Sequence, residues 1–92
     1  LLEGLTEAAM ELGFGEADAR ALAYQTFAGS MRLAEASTAE PATLRAQVTS
    51  KGGTTERAIG VLEGGGVKRR FIDAVKAAAA RARELGDAAG RE

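Results

Sequence analysis

The chain has no cysteine, no histidine, no tryptophan and a single proline. Its aromatic residues are one tyrosine and three phenylalanines. Without cysteine, disulfides and thiol nucleophiles are excluded; without histidine as well, so are the common zinc sites and a histidine general base. No apolar run approaches the length of about 18 residues that a membrane-spanning helix needs. The opening residues lack both the basic segment and the cleavage pattern of a secretory signal. A cytoplasmic location is therefore expected. Lys and Arg total 12 against 13 Asp and Glu, a net charge of −1. That near-balance removes the electrostatic footprint of a nucleic-acid binder.

What is present is alanine. Residues of hydrophobic type make up 46% of the chain, and half of them are alanine. Alanine-rich helical surfaces let helices approach closely but bury little area per residue. A chain of 92 residues makes one domain at most and is near the lower limit for burying enough surface alone. The missing burial is expected from a second copy of the chain or from another domain. Leu1-Leu2 opens without an initiating Met and falls directly into a helical pattern, so a fragment of a longer protein is expected.

Hydrophobic spacing predicts an all-α domain of about five helices over 1–86, followed by a loose tail over 87–92. Residues 1–13 place Leu1, Leu2, Leu5, Ala8, Ala9 and Leu12 opposite Glu3, Glu7 and Glu11, and Gly13-Phe14-Gly15 breaks that helix. A second helix runs from about Glu16 to Ala36, with Glu16 and Asp18 at the positive end of its dipole. Its strongly polar strip is narrow, chiefly Asp18, Gln25 and Arg32. A helix apolar over most of its circumference is covered on several sides, which favours self-association over a core helix within one subunit. Gly29-Ser30 offers a point of close backbone contact. Pro41 suits the first position of a short helix covering 42–48. A fourth helix spans about Thr54 to Glu63 and is stopped by three consecutive glycines. The last spans about Lys68 to Leu85 and ends at Gly86. Its basic residues are interrupted by Asp73 and Glu84, and its one aromatic, Phe71, lies in the apolar row. A solvated face is the better reading of that charge than a nucleic-acid patch.

The stretch Val48-Thr49-Ser50-Lys51-Gly52-Gly53-Thr54-Thr55-Glu56 stands apart. Two glycines at a helix start let the backbone turn freely, and the first helical turn offers N–H groups without intrahelical partners. Ser50, Thr54 and Thr55 add hydroxyls. Together these suit a small anion such as a carboxylate or phosphate. The same residues also make an ordinary helix start, with Gly53 near the N-cap and Glu56 placed to reach back to a free N–H. Local chemistry alone leaves both readings open and favours the plain cap.

From Pro41 onward the sequence reads P-A-T-L-R-A-Q-V-T-S-K-G-G-T-T-E-R-A-I-G-V-L-E, then a glycine run and F-I-D-A-V-K-A-A. This closely resembles the signature of pyrroline-5-carboxylate reductases, and the similarity extends back through Glu16-Ala17-Asp18-Ala19-Arg20 to the first helix. The resemblance implies a helical dimerisation domain like the C-terminal domain of 6-phosphogluconate dehydrogenase, forming an interlocked homodimer. It also implies an enzyme that reduces the cyclic imine to L-proline with NADPH or NADH, the last step of proline biosynthesis. The nucleotide would be bound by an N-terminal Rossmann domain that lies outside this sequence, so no residue here is expected to bind the cofactor, and none a metal. By position in the motif, Ser50, Gly52, Gly53, Thr54 and Thr55 would hold the substrate carboxylate. Thr55 matches the residue that hydrogen-bonds the imine nitrogen, the catalytic role. Lys51 stands where the family commonly has proline, and is read as pointing to solvent. Val67 replaces a usual phenylalanine, with Phe71 bringing a ring one turn later. The expected partners are a second copy and the imino acid, with neither nucleic acid nor membrane. A stand-alone helical homo-oligomerisation module without catalytic activity is the alternative.

Overall fold

The structure, a computed structural model, describes residues 1–90. Among them are five helices and no strand: α1 (Leu2–Glu11), α2 (Glu16–Ala36), α3 (Pro41–Gln47), α4 (Thr54–Gly64) and α5 (Val67–Gly90). The chain divides into two compact units, Leu1–Ala46 and Gln47–Glu92.

In the first unit α1 packs against α2. The turn between them follows from Gly13, which takes φ +108°, a left-handed value that favours glycine. Its N–H donates to the Met10 carbonyl at 3.0 Å and that of Phe14 to Ala9 at 3.1 Å. These are the two bonds of a Schellman motif, which satisfies the last carbonyls of α1. Gly15 then caps α2 in extended conformation, with Glu16 and Asp18 in the first turn, where carboxylates meet the positive end of the helix dipole. At the far end of α2 the Ala39 N–H donates to Ser37 Oγ at 3.0 Å. Pro41 opens α3, where its missing N–H costs nothing, and the Glu40 carbonyl accepts from Thr43 and Leu44.

Ala19 and Ala23, one turn apart on α2, are the buried hydrophobic side chains of the described residues. The large apolar side chains behave differently. Tyr24, Phe27 and Met31 of α2 are 55%, 36% and 57% exposed, and Leu22 and Leu33 are exposed with them. The broad apolar surface expected on α2 is present and open to solvent in the single chain.

In the second unit α4 packs against α5, with Ile59 and Ile72 half-buried. The glycine stop is realised at Gly65, which caps α4, and at Gly66, whose φ of +67° reverses the chain. Gly66 then gives its carbonyl to the Arg70 N–H at 3.0 Å, closing the first turn of α5. The expected end at Gly86 is corrected: α5 continues through Asp87, Ala88 and Ala89 to Gly90. Residues 87–90 of the expected tail are thus helical, and 91–92 lie outside the described residues. A lone glycine costs a helix about 1 kcal/mol relative to alanine, too little to end one flanked by good helix formers. On α5, Arg69 pairs with Asp73 at 3.1 Å and Arg81 with Glu84 at 3.0 Å. Both pairs are exposed, as in a solvated, self-compensated face.

Candidate functional site

The glycine loop lies wholly within the second unit. The Ser50 carbonyl accepts from the Gly53 N–H at 3.0 Å, and Gly52 has φ +76°. A bond from the first to the fourth residue, with left-handed glycine third, is the signature of a type II turn. Lys51 occupies the second position, where proline is favoured, and is exposed. Gly53 is the N-cap of α4, with φ −86° and ψ 177°. Its carbonyl accepts from Arg57 at 3.3 Å, the first bond of the helix.

Glu56, in the first turn of α4, reaches back so that its Oε1 accepts from the Gly52 N–H at 3.2 Å. This is a capping box displaced by one residue, with the N′ amide satisfied in place of the N-cap amide. The structure therefore divides the five residues singled out in the sequence. The amides of Gly52 and Gly53 are engaged, by a carboxylate and by the turn carbonyl. Among the described residues, the amides of Thr54 and Thr55 have no partner, and neither do the hydroxyls of Ser50, Thr54 and Thr55. Ser50 is exposed and Thr55 half-buried.

The free groups are consecutive amides at the start of an eleven-residue helix plus hydroxyls from both sides of the cap. That set offers donors and a positive dipole end without any formal cation, chemistry suited to orienting a carboxylate. The hydrogen bonding of the turn went unread in the sequence. A glycine pair after two polar residues signals a turn, but which amide the turn consumes depends on where left-handed φ falls. Elsewhere, a shallow groove of about 300 Å³ beside Phe14, Asp18, Ala21, Leu22 and Gln25 is lined mainly by apolar surface. No group of three or more metal-ligating side chains is found among the described residues.

Comparison with known proteins places this geometry in context. The model of the family described as "Pyrroline-5-carboxylate reductase dimerisation" matches residues 1–85. Pyrroline-5-carboxylate reductase 3 of Danio rerio is 44% identical over 85 residues, covering 92% of this chain and 30% of the relative. The pyrroline-5-carboxylate reductase of Pseudomonas aeruginosa is 37% identical over 91 residues, covering 99% and 33%. A solved pyrroline-5-carboxylate reductase from Coxiella burnetii superposes with a TM-score of 0.85 at 46% identity, over 91% of this chain and 31% of that one. The chain thus spans about a third of the length of the relatives it matches. With the family model covering the glycine loop and all but the end of α5, the chain belongs to the pyrroline-5-carboxylate reductase dimerisation family.

Proposed function

We propose that this chain is the dimerisation and substrate-binding part of a pyrroline-5-carboxylate reductase, the enzyme that converts the cyclic imine to L-proline. The observation that carries the reading is the pair of unpartnered amides at Thr54 and Thr55, in the first turn of α4 and behind a turn that fixes their direction. In the proposal these amides and the Ser50 hydroxyl receive the substrate carboxylate, and the Thr55 hydroxyl hydrogen-bonds the imine nitrogen. Gly52 acts through the left-handed backbone it permits. A protonated imine is already electrophilic, so the chain's task is to hold it at a fixed angle and to bind its anion. This needs no histidine.

The nicotinamide nucleotide, NADPH or NADH, supplies the hydride in this chemistry. The described residues form five helices and no strand, and so do not supply the strand–turn–helix unit that cradles a dinucleotide. The cofactor is accordingly assigned to a segment of the longer protein, and no residue described here is given to it. The exposed apolar faces of α2 and α5 are assigned to a second copy of the chain, making a homodimer.

The full-length protein is the test. It should oxidise NAD(P)H only when pyrroline-5-carboxylate is added, and Thr55→Ala should lower kcat/KM by one to two orders of magnitude, about the effect of losing a hydrogen bond to a charged group. The 92-residue chain should self-associate in sedimentation without reductase activity. A full-length protein that self-associates but leaves NAD(P)H untouched would return the chain to a helical oligomerisation module. An unimpaired Thr55→Ala enzyme would remove that residue from the chemistry.

A further inference from the structure

Gly53 has no conformational reason to be glycine. Its φ of −86° and ψ of 177° lie in the extended region open to every L-residue. The left-handed glycine of the loop is its neighbour Gly52. What excludes a side chain at Gly53 is Ser50. A Cβ built there would fall 2.5 Å from Ser50 Oγ and 3.1 Å from the Ser50 carbonyl oxygen, with Ser50 Cβ at an ordinary 3.7 Å. The Ser50 hydroxyl therefore sits in the space that any other residue at position 53 would fill. That hydroxyl has no hydrogen-bond partner among the described residues, so nothing within the chain holds it in place except the room left open.

We propose that Gly53 is a positioning residue: the absence of its Cβ seats the Ser50 hydroxyl over the start of α4, where it faces the substrate carboxylate. The inference rests on the reading of this loop as a carboxylate site. A methyl at position 53 turns the hydroxyl to another rotamer at small cost in stability, because Ser50 Oγ is the end of a mobile side chain. The Ser50 carbonyl, 3.1 Å from the new carbon, has to give by only a few tenths of an ångström, and the Gly53 N–H that it accepts from is still present in Gly53→Ala. Binding is lost through displacement of a side chain on another residue.

The experiment is a double-mutant cycle in the full-length protein: Gly53→Ala, Ser50→Ala and the pair together. Two readouts are taken, KM for pyrroline-5-carboxylate against kcat, and thermal unfolding. Each single variant should raise KM for the imino acid roughly tenfold, in line with one hydrogen bond to a charged group, and leave KM for the nucleotide unchanged. The double variant should resemble Ser50→Ala alone, because the second change displaces a hydroxyl already removed. In thermal unfolding the penalty of Gly53→Ala should shrink in the Ser50→Ala background. Multiplied effects on KM, or a Gly53→Ala penalty equal in both backgrounds, would overturn the proposal. The unfolding cycle reads the Ser50–Gly53 contact whether or not turnover is seen. A protein inactive toward pyrroline-5-carboxylate that still shows coupled unfolding thus refutes the substrate assignment, with the contact itself upheld.

Discussion

Position 51 of the glycine loop carries a lysine on the second residue of a type II turn, with the left-handed conformation supplied by Gly52. Proline pre-sets the φ this position needs, and the Lys51 N–H has no partner to lose among the described residues. Lys51→Pro should raise stability by about 0.4–1 kcal/mol through a less flexible unfolded chain; the midpoint of urea unfolding will measure it. The next residue predicts the opposite. Gly52→Ala places a Cβ on a backbone with φ +76°, costing about 1–2 kcal/mol, although nothing lies within 4 Å of the added carbon. A loss of that size would come from conformation alone. At this scale the sequence was legible as to place and illegible as to detail. The motif located the loop, and Glu56 was rightly expected to reach a free N–H. The division of amides between turn and helix followed from one dihedral angle that residue names do not encode.

The helices were well marked because glycine and proline punctuate them. α2 runs from Glu16 to Ala36 as its spacing predicted, and α4 starts at Thr54 behind the glycine pair. α5 is the exception, and the same chemistry explains it. Gly13 and Gly66 end helices because each adopts positive φ and gives its N–H to a carbonyl of the last turn. Gly86 does neither and lies inside the helix. A glycine breaks a helix when the chain must turn there, and the letter alone does not say so. Gly86→Ala should therefore stabilise by up to about 1 kcal/mol, with nothing within 4 Å to obstruct the new methyl. Circular dichroism through thermal unfolding will test it. A destabilised variant would mean that Gly86 is needed as a terminator.

For the molecule as a whole, the apolar side chains of α2 left open to solvent are the dominant feature. Tyr24, Phe27, Met31 and Leu33 all remain accessible, and a surface of that kind on a domain this small calls for a cover. If a second copy provides it, stability becomes dependent on concentration. Met31→Asp should then shift sedimentation toward the monomer and lower the unfolding temperature, and a tenfold dilution of the unaltered chain should lower it as well. An unfolding temperature independent of dilution would leave those side chains without the assigned partner. Composition had announced this: few large residues and many alanines cannot enclose one another within a single chain.

The two sealed side chains, Ala19 and Ala23, decide how this interior can be manipulated. Carving methylenes away, the usual way to weaken a protein, has almost nothing to remove there. Wedging is the effective route, because both side chains are sealed and a valine or leucine grown at either position has to displace whatever covers it. Drift at these sites is thus narrow in both directions, since the one smaller residue, glycine, costs the interior of α2 about 1 kcal/mol and every larger one lacks room.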